Sequence, residues 1–253
     1  MEKINSHNKD SSQTHQEGVN QFTDLTQEEF AAKYLTLKVN KKSSRRAAPQ
    51  EVKILGDVDW VAAKMVTAVK DQGQCGSCWA FSAVAAIESA VLINDSPEQL
   101  FSEQQLVDCS GAYGNEGCDG GWMDAAFEYV IDNGIATSAQ YPYVARDQAC
   151  KMDGGNFKIS NFIDVQGCNA LANALNYAPV SVAVDASNWS PYRSGVLSTC
   201  GNNVNHGVLL VGQSDAYWKI KNSWSTNWGE SGYIRLAQGN TCDICEYPSL
   251  PQL

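Results

Sequence analysis

The sequence predicts an α+β fold in which a mainly helical half precedes a mainly stranded half. Residues Cys78–Ile93 form an almost continuous apolar run, which is typical of a helix buried on most sides. After Cys150 the helical patterns give way to β-branched runs that are typical of strands, at 180–186, 207–212 and 217–224. Because each half must bury its own apolar faces, we expect two subdomains with a binding cleft between them.

The charge of the chain is divided unevenly between its two parts. Residues 1–50 carry 8 Lys and Arg against 6 Asp and Glu, whereas residues 51–253 carry 10 against 22. A body this acidic repels a phosphate backbone, so we expect no nucleic acid partner. No apolar run approaches the length of a bilayer-spanning helix, and the first residues lack the apolar centre of a signal peptide. We therefore expect no membrane segment and no leader in this chain.

Short polar signals predict where helices begin and end. A Ser or Thr can accept a backbone N–H at a helix start, and a Gly often follows the last turn. The starts lie at Thr26 with Glu29, at Ser77, and at Ser102 with Gln105, and one end lies at Gly134. Residues 38–49 are basic and aperiodic, which is typical of a protease-sensitive linker between two functional units.

His206 is the single histidine of residues 51–253, so any imidazole base of the body must be His206. A turn centred near Ser214 would pair it with Asn222 in the next strand, at a Cβ separation of about 5 Å. An amide there can accept the imidazole N–H and fix the ring. A slip of one residue in register would remove this contact, and a histidine without a role is the alternative.

The cysteine count points to one unpaired thiol. All nine cysteines lie at or after Cys75, and an odd number leaves one over when eight form four disulfides. Cys78 stands at the first turn of the buried helix, where unpaired N–H groups and the helix dipole favour a thiolate. Its own N–H and the amide of Gln72 are candidate donors for a developing oxyanion. An inert buried thiol is the alternative.

Three separated motifs resemble the papain and cathepsin L family of cysteine proteases. They are QGQCGSCWAF at 72–81, His206 followed by Gly207, and NSW at 222–224, and the histidine and asparagine follow Cys78 by 128 and 144 residues. The resemblance extends from about Val58 to Pro251. It implies a papain-like fold with a helical left subdomain at about 57–165 and a β-barrel-like right subdomain at about 166–253. The active-site cleft would lie between them.

The resemblance also implies a role for each matching residue. Cys78 corresponds to the nucleophile, His206 to the base, Asn222 to the amide that orients it, and Gln72 to the oxyanion donor. Trp224 corresponds to the indole that shields the contact between histidine and asparagine. The substrate-binding residues would be Gly120, Gly121, Trp122, Met123, Ala183, Val204, Asn205 and Tyr247. No metal or other cofactor is expected.

The implied pocket for P2, the second substrate residue before the cleaved bond, is apolar. We therefore expect a hydrophobic P2 residue, and Arg would be disfavoured unless Glu246 turns inward. Between Ser110 and Trp122 the chain lacks the insertion and paired histidines that block the cleft of exopeptidase relatives, so an endopeptidase is expected. Ser225 and Asn227 stand where the family commonly has glycines, which puts the shape of that loop in doubt.

The family framework implies three disulfides, which pair Cys75 with Cys118, Cys109 with Cys150, and Cys200 with Cys242. Cys168 and Cys245 remain, and we expect them to form a fourth bridge. This last pairing is an inference by elimination, since eight cysteines alone allow 105 connectivities. Two free buried thiols are the alternative.

The N-terminal part resembles a truncated inhibitory propeptide of the same family. GVNQFTD at 18–24 matches the motif G-x-N-x-F-x-D, and Ile4 to Asn8 resembles the end of the helix that precedes it. Residues 1–50 would then run backwards through the cleft of the peptidase domain at 51–253. Acid should loosen them as carboxylates of the body protonate. A disordered tag is the alternative.

These expectations describe the proenzyme of a cysteine endopeptidase, with protein and peptide substrates and its own propeptide as partners. We expect a monomer that works in a lysosome, a vacuole or outside the cell. Two alternatives stay open. The pairs Cys75-x-x-Cys78 and Cys242-x-x-Cys245 have the spacing of redox or zinc sites. An inactive protease-like binding or inhibitor protein would carry the same resemblance.

Overall fold

Helices and strands follow each other in a mixed order along the chain. The structure is a computed structural model that describes residues 2–40 and 56–253. Most of the linker predicted at 38–49 therefore lies outside the described residues. The helices within them are α1 (Glu2–Lys9), α2 (Gln27–Tyr34), α3 (Cys78–Ile93), α4 (Glu103–Cys109), α5 (Met123–Asn133) and α6 (Cys168–Leu175). The strands are β1 (His15–Glu17), β2 (Val58–Asp59), β3 (Asn161–Asp164), β4 (Val180–Val184), β5 (Tyr192–Leu197), β6 (His206–Gln213), β7 (Tyr217–Lys221), β8 (Tyr233–Ala237) and β9 (Ser249–Gln252).

Most of the predicted helix signals are confirmed. Thr26 and Glu29 form a reciprocal capping box at α2, and the Ser102 hydroxyl accepts the N–H of Gln105 at α4. Gly134 ends α5 with a positive φ of 80°. The cap predicted at Ser77 is wrong, because its side chain makes no capping bond and its hydroxyl lies 2.7 Å from that of a tyrosine, Tyr143.

The strands form one open sheet. Its order is β1, β5, β8, β7, β6, β4, β9, β3, and β2 pairs with β6 off this path. Neighbouring strands are antiparallel except β5 and β8, which are parallel. The sheet is not closed among the described strands, because β1 and β3 form two separate ends. At one of these ends, a strand from the first 40 residues of the chain occupies the edge beside β5.

The hairpin of β6 and β7 has a different register from the one predicted. Leu210 lies opposite Ile220, the ladder is irregular between Leu210 and Gly212, and Gln213 pairs with Trp218. The turn is thus centred beyond Ser214, and His206 is not directly opposite Asn222. Because the shift is close to two residues, the two side chains keep the same face and become diagonal neighbours.

Two apolar cores meet at β6. Leu209 and Val211 belong to the core around α3 and α5, whereas Val208 and Leu210 belong to the core that covers the other face of the sheet. Alternate residues of a strand point to opposite faces, so β6 serves as the wall between the two cores. Its first residue, His206, therefore lies at the boundary, where α3 also begins.

Four disulfides stabilise this arrangement. They join Cys75 to Cys118, Cys109 to Cys150, Cys168 to Cys245, and Cys200 to Cys242. The fourth predicted bridge, between Cys168 and Cys245, is therefore confirmed. Both alternatives with a C-x-x-C site are wrong, because Cys75 and Cys242 are bonded to cysteines outside those pairs. None of the described helices is long and apolar enough to cross a membrane.

Candidate active site

Cys78 is a free, fully buried thiol at the first residue of α3. Burial raises the pKa of the thiol to about 11, and it outweighs the backbone N–H groups of Gly207, Trp79 and Thr36, which favour the thiolate. The cover includes Thr36 from the first part of the chain. In this conformation the sulfur is therefore protonated at neutral pH, and the thiolate predicted from the sequence requires a less buried site.

His206 is held from two sides. Its Nε2 lies 2.8 Å from Oδ1 of Asn222, and its ring stacks on that of Trp224 with centroids 4.7 Å apart. Burial lowers the pKa of the imidazole to about 4, although Asn222 and the carbonyl of Tyr34 oppose this shift. An amide oxygen accepts the Nε2 proton, which leaves Nδ1 as the basic nitrogen of the neutral ring.

Gln72 is fixed by contacts that the sequence analysis did not identify. Its Nε2 donates to the carbonyl of Cys75 at 3.1 Å, and its Oε1 accepts the hydroxyl of Ser223 at 2.7 Å. The Tyr143 hydroxyl donates to its carbonyl at 2.7 Å. Ser223 follows Asn222 in the NSW motif, so the motif supplies a signal for this residue, whereas Tyr143 has none.

A segment of the first part of the chain, Thr36 to Lys38, runs over the predicted substrate-binding residues. Lys38 N–H donates to the carbonyl of Gly121 at 3.1 Å, and Leu37 N–H donates to that of Asn205 at 3.1 Å. At Gly120, which has φ +118°, an added Cβ would lie 2.0 Å from the carbonyl oxygen of Thr36. The glycine is thus needed for both its conformation and this close approach.

The residues predicted for the P2 pocket come together in one apolar cluster. Trp122, Met123 and Ala183 are buried in it, and Val204 and Tyr247 pack against it. The rings of Trp122 and Tyr247 meet edge to face at 5.5 Å. Leu37 is a member of the same cluster. Glu246 is exposed and accepts a hydrogen bond from Asn240 at 2.9 Å, outside the cluster.

Comparisons with known proteins agree with this geometry. Residues 55–252 match the family described as "Papain family cysteine protease". The chain belongs to the papain family of cysteine proteases. This protease is 53% identical to cathepsin L 2 of Paramecium tetraurelia over 93% of its own length and 77% of the relative. It is 44% identical to digestive cysteine proteinase 3 of Homarus americanus, over 92% and 78% of the two chains.

A solved structure of the same kind covers the whole protease. Digestive procathepsin L 3 of the Tenebrio molitor larval midgut superposes with a TM-score of 0.92 and 39% identity, over 100% of this chain and 88% of that one. The papain-like fold and the hydrolase activity expected from the motifs are thereby confirmed. The relative is a proenzyme, so residues 2–40 correspond to a propeptide, and we call them the pro-segment.

The pro-segment contacts the protease through an aromatic cluster that the sequence analysis missed. Phe22, Phe30 and Tyr34 surround the indole of Trp224, with ring centroids 5.2, 5.3 and 6.3 Å from it. Phe22 belongs to the G-x-N-x-F-x-D motif, and Phe30 and Tyr34 lie one turn apart on α2. The helical spacing of α2 was visible in the sequence, but its target on the protease was not.

The loop after Trp224 keeps a backbone conformation that favours glycine. Ser225 has a φ of +64°, its N–H donates to the carbonyl of Lys70 at 3.1 Å, and its hydroxyl accepts the N–H of Asn227 at 3.1 Å. Ser225 therefore adopts the left-handed conformation at some cost in strain, and its hydroxyl bonds to the backbone of Asn227.

Proposed function

We propose that this protease is the proenzyme of an endopeptidase that uses Cys78 and His206 as a thiolate and imidazolium pair. One observation carries the proposal. The free thiol at the start of α3 receives the N–H of Gly207, and the histidine before that glycine is oriented by Asn222 at 2.8 Å. A nucleophile, a base and a group that orients the base are the parts that covalent catalysis requires.

The reaction would proceed in two steps. The Cys78 thiolate attacks the scissile carbonyl carbon, and the resulting oxyanion is held by the Cys78 N–H and the Gln72 amide. His206 gives its proton to the leaving amine as the C–N bond breaks, which forms a thioester. His206 then takes a proton from water, the hydroxide attacks the thioester carbon, and release of the carboxylic acid restores the pair.

Autoinhibition would result because the pro-segment lies in the cleft and occupies positions that bind substrate. Thr36 to Lys38 occupy the backbone positions of Gly121 and Asn205 that a substrate would use. We propose residues 1–50 as the propeptide and 51–253 as the peptidase domain, divided at about residue 165 into the two predicted subdomains. The protein would act as a monomer in an acidic digestive, lysosomal or vacuolar compartment, or after secretion.

Acid would favour release of the pro-segment through His206. Its pKa is lowered to about 4 while it is covered and returns toward about 6.5 once it is exposed. The covered form then binds fewer protons than the open form between these values. The stability that neutral His206 gives the covered form is therefore fully present above about pH 6.5, and it is lost as the pH falls toward 4. Protonation of carboxylates on the acidic body would act in the same direction.

Specificity would follow from the apolar P2 cluster. Its side chains present no carboxylate, and Glu246 is bonded to Asn240 instead of pointing inward. A Leu or Phe at P2 should therefore bind better than Arg, because a guanidinium in an apolar pocket loses its hydration without gaining a partner. Leu37 of the pro-segment occupies the same cluster and would act as a substrate mimic.

Turnover of fluorogenic peptides that differ only at P2 tests this function. The full chain should gain activity after incubation in acid, with Leu or Phe preferred over Arg, and Cys78→Ser should abolish it. Asn222→Ala should retain alkylation of Cys78 while kcat falls at least tenfold. Thr226→Ala, an exposed change on the loop nearby, is the matched control. Binding of peptides without turnover in the acid-treated chain would favour the inactive binding or inhibitor protein.

A further inference from the structure

Three side chains of metal-binding type meet where α1 lies against β1 in the pro-segment. They are His7, His15 and Glu17, and their ligand atoms all lie within 4.8 Å of one another. Nδ1 of His7 is 3.6 Å from Oε1 of Glu17, and the two imidazole rings are 4.4 Å apart. The group lies on the pro-segment and takes no part in the proposed reaction.

His15 gives a second, independent indication of a ligand. Its side chain is only 8% exposed, and its Nδ1 is buried without a hydrogen-bond partner among the described residues. A buried polar nitrogen without a partner loses the hydrogen bond that water gave it in the unfolded chain. A bound cation would supply the missing partner.

His7 is already oriented as a metal-binding histidine would be. Its Nε2 lies 3.2 Å from the backbone carbonyl of His15. A carbonyl oxygen can only accept, so Nε2 carries the proton and Nδ1 of the neutral ring keeps its lone pair on the side of Glu17. Metal-binding histidines commonly donate their second N–H to a backbone carbonyl in this way.

We infer that His7, His15 and Glu17 form a binding site for a zinc ion. Two imidazole nitrogens and one carboxylate oxygen suit zinc, which would take water as its fourth ligand. Ligands at 2.0–2.1 Å in a tetrahedron are about 3.3 Å apart, so the side chains must close by roughly 1 Å or more at their widest separation. Calcium and magnesium prefer sites made of oxygen alone, so they should not compete.

The ion would fasten α1 to β1. Helix α1 has eight residues and buries none of them, so it is marginal by itself. His7 and Asn8 bond α1 to β1, and the Asn8 amide exchanges two hydrogen bonds of 2.9 Å with the backbone of Glu17. Strand β1 in turn pairs with β5 of the protease. A metal that orders α1 would therefore stabilise the docked pro-segment at the edge of the sheet.

The surroundings leave room for an ion to enter. A cavity of about 560 Å³ lies between the pro-segment and the protease, and His7, His15 and Glu17 line it together with Asn188, Pro191 and Leu197 of the protease. The retention of the pro-segment by zinc rests on the proposed function, whereas zinc binding itself does not.

Calorimetric titration of the full chain with zinc chloride at neutral pH tests the site. Cys78→Ser is used as the parent protein, because it removes the free thiol as a competing zinc ligand and prevents self-cleavage. One equivalent of zinc should bind, and adding His7→Gln should weaken it at least tenfold. His7 is partly exposed, and Gln keeps a polar side chain at this position. Glu28→Gln, an exposed change on α2, should bind zinc as the parent does.

Hydrogen exchange separates this inference from the proposed function. Zinc should slow exchange of the amides of α1 and β1 in the parent but not in His7→Gln, and calcium should have no effect. Failure of the parent to bind zinc, or equal binding and protection in His7→Gln, would overturn the site. Neither result depends on proteolysis, which is measured separately on the chain with an intact Cys78.

Discussion

The start and the second half of α3 bury ionisable groups in opposite ways. At its start, Cys78 and His206 are covered by the pro-segment, and burial drives both toward the neutral form, with pKa values of about 11 and about 4. Further along, the fully buried Glu88 lies 2.6 Å from Nζ of Lys70, which also lies 2.6 Å from Glu103. Burial opposes the charge of Lys70, but the two carboxylates outweigh it and raise the pKa of its ammonium.

The difference shows that ionisable groups need different surroundings when they are buried permanently and when they are covered only by the pro-segment. A group that is always buried needs a counter-charge to stay ionised, since neutral surroundings cannot replace its hydration. Glu88 has one, together with hydrogen bonds from the Thr67 hydroxyl at 2.5 Å and the Phe101 N–H at 3.0 Å. Cys78 and His206 can remain neutral while covered, because the proposed reaction needs their charges only after the pro-segment leaves.

Removing the ammonium of Lys70 should leave two buried carboxylates without their shared cation. Lys70→Met leaves Glu88 and Glu103 buried without it, and we expect a loss of about 4 kcal/mol in the free energy of unfolding at neutral pH. Burial already raises the pKa of Glu103 despite Lys70, and without the cation it should rise further, so the loss should shrink in acid. Urea unfolding at two pH values measures it, with the exposed Lys9→Met as control. A loss below about 1 kcal/mol would show that the cation does not hold these charges.

Uncovering Cys78 and His206 should have the next largest effect. Phe22 is buried between Phe30, Tyr34 and Trp224, with ring centroids 4.8 to 5.2 Å away. Phe22→Ala should weaken docking of the pro-segment by about 3 kcal/mol. If Cys78 is alkylated only when the cleft opens, this change raises the rate of its reaction with iodoacetamide at neutral pH about a hundredfold. Val19→Ala, at a 63% exposed position of the same segment, should leave the rate unchanged. Equal rates for the two variants would contradict the covering role.

A buried carboxylate without a cation should behave unlike Glu88. Burial, and then the nearby Asp164, raise the pKa of Asp124 to about 7, although Trp122 donates to it at 2.8 Å. Because this pKa is raised in the folded protein, ionisation of Asp124 destabilises the fold. The penalty is absent below about pH 4 and grows as the pH rises to about 7. Asp124→Asn removes the charge but introduces two amide protons, so we expect a net gain of about 2 kcal/mol above pH 7 and none in acid. Thermal unfolding across pH measures it, with the exposed Asp57→Asn as control; a gain that does not depend on pH would contradict the assignment.

Features of this protein could be predicted from the sequence where they depend on residues that are close together in the chain. Cys78, His206 and Asn222 were found because short motifs mark them, and their neighbourhood survived an error in register because β-strands alternate with a period of two. The bulge after Leu210 had no local signal. The cluster of Lys70, Glu88 and Glu103 was missed for another reason. The sequence contains three charged residues, but their burial and contact depend on the tertiary structure.

In the pro-segment, too, the sequence predicts local contacts but not tertiary ones. The capping box at Thr26 is local and was predicted, whereas the pairing of β1 with β5 joins residues nearly 180 positions apart and was not. The sequence contained His7, His15 and Glu17 without any motif spacing that links them. Their convergence depends on α1 folding back onto β1, which is a tertiary contact.

An exposed ion pair between the pro-segment and the protease provides the last and smallest test of the comparison. Lys38 and Glu116 are joined by a hydrogen bond, yet their side chains remain 48% and 59% exposed. Water screens such pairs, so Lys38→Ala and Glu116→Ala should each weaken docking by less than about 1 kcal/mol, which corresponds to less than about a fivefold rise in alkylation of Cys78. The coupling in the double variant should be equally small and should vanish in high salt. A coupling comparable to the loss at Lys70 would mean that burial does not decide the strength of these charge pairs, and the contrast between the start and the second half of α3 would need another cause.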